Sequence, residues 1–158
     1  MQKITPFLWF DGEAEEAMNF YVGLFPNSRI MNVSRYNDAI PAMSGKVLTC
    51  TFELDGVQFT ALNGGPEFKF NEAISFYVDC ADQAEVDRLW SALTANGGEE
   101  SQCGWLKDRF GVSWQIVPRA LTEMMNDANP LKAQRVTESM LQMKKIDVAE
   151  LRRAYESV

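Results

Sequence analysis

The hydrophobic and polar positions along the chain predict the same order of secondary-structure elements twice. In the first half, the apolar run 4–10 predicts a strand, and apolar residues at helical spacing over 14–25 predict a helix. Strands are predicted next at 29–36 and over 46–63, where apolar and polar residues alternate on either side of Asp55-Gly56. That dipeptide favours a two-residue hairpin turn, which would place Phe52 opposite Phe59.

The second half repeats this order. The segment 73–80 predicts a strand, and Asp82 followed by Glu85 has the form of a helix capping box. The glycine-rich segment 96–98 predicts the end of this helix, and short strands are predicted at 99–102, 104–108 and 112–117. We therefore predict an α+β fold in residues 1–118, with two βαβββ modules, about 1–66 and 67–118, forming a curved, mainly antiparallel sheet.

Beyond Pro118 the pattern becomes helical. Short helices are predicted at 122–127, at 131–145 and after Asp147, which is another potential N-cap. We assign 119–158 to a helical C-terminal extension. Such short helices need a surface to pack against, which the body of the fold or a second subunit could supply. We expect a homodimer, with the extension contributing to the interface.

Charge and composition limit the kinds of partner that the protein is expected to bind. The hydrophobic fraction is 46% and the charged fraction 23%, a balance typical of a soluble globular protein. The formal net charge of -7 argues against binding to nucleic acid or to an anionic membrane. The three widely spaced cysteines and the lack of a signal-peptide core favour a reducing, cytoplasmic location.

The chain contains no histidine. Catalytic triads, Cys-His dyads and histidine-ligated metal sites are therefore impossible, whichever fold the chain adopts.

Several segments closely resemble the PhnB-like proteins, a family often labelled demethylubiquinone methyltransferase-like, within the vicinal oxygen chelate superfamily. The segments that carry the resemblance are 8–12 (LWFDG) with 17–21, 52–56 (FELDG), 61–66 (ALNGGP), 103–111 (CGWLKDRFG) and 114–118 (WQIVP). The resemblance extends over essentially the whole chain, including the tail around 141–147. The resemblance implies the glyoxalase/bleomycin resistance-like fold, with a ligand cavity between the modules. The resemblance does not imply a reaction. The methyltransferase label is not supported, because the sequence has no glycine-rich turn from a strand into a helix of the kind that most S-adenosylmethionine sites use.

The resemblance also implies where a metal site would be. The ligand positions of the superfamily's enzymes correspond approximately to Thr5 or Pro6, Thr60, Ala73 and Gln115, and relatives often have histidine at Thr49. None of these residues here is His, Asp or Glu. One neutral amide cannot hold a transition metal alone, so we expect no metal and no cofactor.

The ligand-pocket candidates are polar or aromatic residues on the faces that the alternation and the resemblance indicate. They are Gln115, Thr60, Thr49, Asn63, Ser75, Trp105 and Cys103. Cys103 with Lys107 could form an activated thiol, but four residues in a strand span roughly 13 Å, so a structural role is favoured. Trp9 and Tyr77 could also stack on an aromatic ligand, although aromatic residues in short strands usually fill a core.

These residues indicate a protein that binds a small neutral or cationic organic molecule without a metal. One alternative is a divergent enzyme of the glyoxalase/dioxygenase superfamily, with Glu53, Asp79 or Glu72 as its base or as a ligand of Mg²⁺ or Mn²⁺. Another is a module that binds a partner protein through an exposed apolar patch. Catalytic residues are not identified by the sequence.

Overall fold

Each half of the chain builds its own four-stranded sheet with one helix packed against it. The structure is a computed structural model that describes residues 2–158, and it divides into two units, Met1–Phe70 and Asn71–Val158.

The first unit contains one parallel and two antiparallel strand pairs. Its elements are β1 (Phe7–Phe10), α1 (Ala14–Leu24), β2 (Arg29–Arg35), β3 (Val47–Leu54) and β4 (Val57–Asn63), with a 3₁₀ turn at Pro41–Met43. The sheet order is β1-β4-β3-β2, and β1 runs parallel to β4.

The second unit has the same topology, followed by three further helices. Its elements are β5 (Phe76–Cys80), α2 (Gln83–Thr94), β6 (Glu99–Glu100), β7 (Trp105–Lys107), β8 (Ser113–Pro118), α3 (Arg119–Met125), α4 (Pro130–Met140) and α5 (Val148–Glu156). The order β5-β8-β7-β6, with β5 parallel to β8, repeats the first sheet. The predicted α+β fold with two βαβββ modules is confirmed.

The β3–β4 hairpin follows directly from its turn residues. Asp55 and Gly56 have φ angles of 48° and 80°, the left-handed pair that a type I′ turn requires. The resulting register places Phe52 opposite Phe59, as predicted, and the two rings stack with centroids 5.8 Å apart. This apolar side of the sheet faces α1, so the side with the threonines is free of that helix.

Helix α2 begins as the capping box predicts. The Asp82 carboxylate accepts from the Glu85 N–H at 2.9 Å, and the Glu85 carboxylate accepts from the Ala81 N–H at 2.9 Å. Its buried stripe consists of Val86, Leu89, Trp90 and Leu93, which are the residues that the helical period selects.

The C-terminal helices have an apolar cluster of their own. It consists of Val117, Leu121, Val136, Ile146 and Leu151. Because Val117 belongs to β8, the cluster joins these helices to the second sheet.

Several predicted boundaries were wrong, including those of the helix predicted at 122–127, which is Arg119–Met125. The strand predicted at 73–80 begins only at Phe76, since the Asn71 side chain accepts from the Ala73 N–H and holds that segment in a turn. The strand predicted at 4–10 begins at Phe7. The helix predicted at 131–145 ends at Met140, after which the Met143 and Lys144 carbonyls accept from the N–H groups of Cys103 and Gly104.

Within residues 2–158, no helix has the length and apolar character needed to cross a membrane.

Candidate functional site

The helix-free face of the first sheet is centred on Thr60 of β4. Thr51 lies directly opposite on β3, and the two hydroxyl oxygens are 3.5 Å apart. On the other side, Thr60 pairs with Phe7 of β1, whose ring is 63% exposed. Thr49 lies one step along the same face, where its hydroxyl is hydrogen bonded to that of Ser34. The predicted candidates Thr60 and Thr49 thus share one hydroxyl-rich face beside an exposed aromatic ring.

Trp9 shares this face but is held by the loop that follows β4. Its indole N–H donates to the Gly65 carbonyl at 2.8 Å, and its ring meets Phe68 edge-on with centroids 4.9 Å apart. A Cβ atom at Gly64 would lie 2.4 Å from the Trp9 ring, so only glycine allows this approach. The loop therefore occupies part of the stacking surface that was considered for Trp9.

The helix-free face of the second sheet is centred on Gln115 of β8. Its side-chain amide donates to the Ser75 hydroxyl at 2.9 Å. Tyr77 is its partner on β5 and Trp105 its partner on β7, and Tyr77 is 52% exposed. Three predicted candidates, Gln115, Ser75 and Trp105, therefore come together with Tyr77 in one half-buried cluster.

Thr60 and Gln115 occupy equivalent places in the two repeats. Each lies on the strand that is second in the sheet order, on the face away from the helix. Each has an exposed aromatic residue beside it on the parallel strand, Phe7 in one unit and Tyr77 in the other. Phe7 was missed by the sequence analysis, although its place in the alternation of β1, on the side opposite Leu8, is a signal that could have found it.

Asn63 is a pocket candidate whose side chain is held between a helix and a strand. Its Oδ1 accepts from the Ala14 N–H at 2.9 Å, at the start of α1, and its Nδ2 donates to the Val47 carbonyl at 3.1 Å. Because Glu13 provides no side-chain cap, Asn63 supplies the oxygen that this helix end needs. Asn63 also borders an open cleft of about 530 Å³, so its place in a ligand site stays a prediction.

Cys103 lies in a turn and not in a strand. It is half-buried, has a φ of 58°, and donates its N–H to the Met143 carbonyl at 2.8 Å. The other two cysteines are buried free thiols, and burial raises the pKa of Cys50 to about 11 and that of Cys80 to about 12. Both are therefore protonated and unreactive at neutral pH.

The carboxylates considered as bases all form exposed ion pairs. Glu53 pairs with Arg29 at 3.0 Å and Asp79 with Arg119 at 3.1 Å, while Glu72 pairs with Lys107. The hydrogen bond from Arg29 lowers the pKa of Glu53, and the hydrogen bond from Lys107 lowers that of Glu72. A lowered pKa weakens a carboxylate as a general base.

The superfamily's metal-ligand positions carry neutral groups here. Thr60 offers a hydroxyl near that of Thr51, and Gln115 offers an amide already bonded to Ser75. Across residues 2–158, no three Cys, Asp or Glu side chains form a set that could hold a metal ion. The donors at these positions do not fit a transition metal, which prefers imidazole, thiolate or carboxylate ligands.

Comparison with known proteins identifies a family with this architecture. Residues 2–117 match the family described as 3-demethylubiquinone-9 3-methyltransferase. A putative 3-demethylubiquinone-9 3-methyltransferase, the PhnB protein of Bacillus cereus, is 40% identical, with a TM-score of 0.68 over 74% of this chain and 99% of that chain. No curated protein matches the chain.

Two more distant structures share the fold. A protein from Pseudomonas aeruginosa is 21% identical, with a TM-score of 0.61 over 75% of this chain and 98% of that chain. The fosfomycin resistance protein FosX of Listeria monocytogenes, solved with Mn(II) and sulfate, is 16% identical, with a TM-score of 0.50 over 72% of this chain and 90% of that one. The repeated βαβββ topology and the match over residues 2–117 together show that this chain belongs to the PhnB-like family, described as 3-demethylubiquinone-9 3-methyltransferase, of the vicinal oxygen chelate superfamily.

Proposed function

We propose that this protein binds a small neutral or cationic organic molecule and needs no metal to do so. The observation that carries the proposal is the equivalence of Thr60 and Gln115, each a polar group beside an exposed aromatic ring on a helix-free sheet face. Sites for small molecules usually combine apolar or aromatic surface with a few polar groups that fix orientation.

The second face offers the more complete set of contacts. Gln115 can donate and accept, Ser75 can do both, and Tyr77 and Trp105 provide aromatic surface on either side. A cleft of about 440 Å³ adjoins Tyr77 and is bordered by Asp79 and Arg119. FosX, a fosfomycin resistance protein, provides a precedent for small-molecule function on this fold.

The enzyme alternative has less support. Its carboxylates are engaged in ion pairs, and the pKa of Glu53 and that of Glu72 are lowered, not raised as a general base at neutral pH would require. The methyltransferase description of the family also finds no counterpart in the topology. The sheets are four-stranded and mostly antiparallel, without the parallel, doubly wound arrangement that most S-adenosylmethionine sites use.

The first experiment tests whether the protein binds a metal ion. Elemental analysis of untagged protein should find no stoichiometric metal, and Mn²⁺, Ni²⁺, Zn²⁺ or Mg²⁺ should not raise the melting temperature. Stoichiometric metal with clear stabilisation would overturn the metal-free proposal and favour an enzyme.

The binding site is tested with neutral and cationic organic compounds screened by thermal shift. For any compound that binds, Gln115→Ala should weaken the affinity about two- to tenfold, as expected for one lost hydrogen bond. Gln142→Ala, an exposed residue in the second unit, is the matched control. Equal affinities of the two variants would rule out Gln115 as a ligand contact.

We also propose that the protein is a cytoplasmic homodimer, with the C-terminal helices contributing to the interface. Exposed apolar residues on this extension, Leu131 and Leu141, support the proposal, and the three free cysteines suit a reducing compartment. Light scattering after gel filtration should give twice the chain mass of 17.9 kDa. A monomeric mass at micromolar concentration would contradict it.

A further inference from the structure

A small cleft lies at the β6–β7 side of the second sheet. Its volume is about 140 Å³, the share of liquid taken by about five water molecules. The lining residues that matter for its chemistry are Glu72, Glu99, Glu100, Trp105, Lys107 and Ser113.

Ser113 is the unusual member of this set. It is 1% exposed, and its hydroxyl is buried without a hydrogen-bond partner among residues 2–158. Ser113 lies directly opposite Lys107 in the β7–β8 pair, so both side chains are on the helix-free face. Buried hydroxyls in proteins are nearly always hydrogen bonded, which indicates that Ser113 has a partner from outside the chain.

The charges around the cleft favour a cation as that partner. Three carboxylates border the cleft, and Lys107 is its one cationic lining residue in the described part of the chain. Lys107 is already paired with Glu72 and lies opposite Glu99. Glu100, by contrast, pairs with Leu106 and accepts from the indole N–H of Trp90 in α2 at 2.8 Å, so its side chain is on the helix side of the sheet, opposite that of Glu99.

Trp105 adds an aromatic surface. It is half-buried, follows the same face as Lys107 and lies opposite Gln115. Aromatic rings attract ammonium groups through their negative faces, and indole does so best. A carboxylate set, an indole and an unpartnered hydroxyl together are complementary to an amine and not to an anion.

We propose that this cleft binds a small organic ammonium group, with the Ser113 hydroxyl accepting a hydrogen bond from it and Glu99 balancing its charge. The inference rests on the proposed ligand-binding function and specifies it, since Trp105 belongs both to this cleft and to the Gln115 cluster. The ligand would be an amine small enough for the cleft, or the amine end of a larger molecule that extends over Gln115.

The probe is n-propylammonium chloride, titrated into ¹⁵N-labelled full-length protein and followed by NMR. Amide signals of residues 99–101 and 105–113 should shift in a saturable manner, whereas propan-1-ol and propionate, matched in size, should leave them in place. If the amine causes no saturable shift, or if propionate causes the same one, the cleft is not an ammonium site and water fills it.

Substitutions then test each contact. Ser113→Ala removes a hydroxyl without a partner in the described chain, so the fold should be retained while amine affinity falls about two- to tenfold. Glu99→Gln should weaken binding about two- to fivefold. Lys107→Met, which frees Glu72, should strengthen binding by a similar factor. Glu138→Gln changes the net charge equally on a distant helix and should have no effect, so a change equal to that of Glu99→Gln would contradict the proposal.

The two proposals can fail separately. If neutral compounds bind in a Gln115-dependent manner while propylammonium leaves the cleft signals unmoved, the ammonium site is wrong and the proposed function stands. If neither the screened compounds nor the amine binds, both are wrong.

Discussion

At the scale of single residues, buried polar side chains hold the loops of this protein in place. Asp108 shows this most clearly, since it is 2% exposed and lies at the β7–β8 turn. Its Oδ1 accepts from the N–H groups of Phe110 and Val112 at 2.9 and 3.1 Å, and its Oδ2 accepts from the Trp114 indole at 2.9 Å. One carboxylate therefore satisfies three donors and joins the turn to the core.

Replacing Asp108 with alanine should destabilise the fold by about 3 kcal/mol, because three donors would lose their acceptor and unsatisfied buried groups are costly. The stability of Asp108→Asn should lie between that of Asp108→Ala and that of the native protein. Asparagine keeps one acceptor oxygen but places an NH₂ group among donors. Urea unfolding followed by tryptophan fluorescence measures both. Asp11→Ala, at an exposed position, should cost no more than about 0.5 kcal/mol, and a similar loss for Asp11→Ala and Asp108→Ala would contradict this role.

The buried thiols predict a loss of stability at alkaline pH. Cys80 has a folded-state pKa of about 12, whereas an unfolded thiol ionises near about 8.5. Above about pH 8.5 the unfolded chain loses this proton while the folded chain keeps it, so stability falls as pH rises towards the folded pKa. The fall that Cys80 contributes between pH 8 and 10 should be about 1–2 kcal/mol.

The comparison of urea midpoints at pH 8 and pH 10 tests this. Cys80→Ala should show a smaller fall than the native protein. Val78→Ala, on the same strand, lowers stability without removing an ionisable group, so its fall should equal that of the native protein. Identical falls in Cys80→Ala and Val78→Ala would show that the thiol does not contribute.

At the scale of elements, the side chain of Gln83 links the C-terminal helices to α2. Gln83, the first residue of α2, donates to the Ile146 carbonyl at 2.9 Å and accepts from the Val148 N–H at 2.7 Å. The backbone of the segment before α5 thus has both a carbonyl and an N–H group bonded to the same side chain. The Lys145–Asp87 ion pair at 2.8 Å lies beside it but is exposed, so it contributes little.

Gln83→Ala should loosen α5 without unfolding the sheets, because it removes the two hydrogen bonds that link the backbone of residues 146 and 148 to α2. Hydrogen exchange of the amides in 146–156 should become roughly five- to a hundredfold faster, which corresponds to about 1–3 kcal/mol. Exchange in β3 and β4 should not change. Gln134→Ala, whose side chain bonds only within α4 to Glu138, is the control, and equal acceleration in both variants would contradict the role of Gln83.

The elements that sequence predicted well are those fixed by local chemistry. The Asp55-Gly56 turn, the Asp82 cap and the Asp147 cap all depend on residues within a few positions, and all are found. Among the misplaced ends, that of α4 depends on distant partners. Helix α4 stops at Met140 because residues 143 and 144 pair with Cys103 and Gly104, about forty residues away in sequence, and no local pattern carries that information.

At the scale of the whole molecule, the βαβββ repeat could be predicted because strand-like and helix-like spacings of apolar residues follow the same order in both halves. The residues themselves do not repeat. The candidate site could be predicted only in part. Alternation indicates which residues share a face with Gln115 or Thr60, but the capping role of Asn63 joins residues 49 apart in sequence. The unpartnered hydroxyl of Ser113 likewise has no sequence signature, because only the folded structure shows that no described residue is within hydrogen-bonding distance of it.

The helical extension lies beyond the family match, which ends at residue 117. The Bacillus cereus relative is covered over 99% of its own length by 74% of this chain. In this chain, the end of β8 packs against the extension. Val117 is 5% exposed within the extension's apolar cluster, and a Cβ at Gly104 would lie 3.2 Å from Ile146.

A fragment ending at Pro118 should therefore fold but melt at a lower temperature than the full chain, and it should bind the apolar dye ANS more strongly. The substitution Val117→Ala makes the test specific. In the full chain it should cost about 1–3 kcal/mol, because it leaves a cavity in the cluster, whereas in the fragment the same change removes an already exposed side chain and should cost much less. Chemical unfolding of the four proteins gives the coupling between Val117 and the extension. Equal costs of Val117→Ala in both backgrounds would show that the extension does not support β8, and the cluster would then stabilise only the helices themselves.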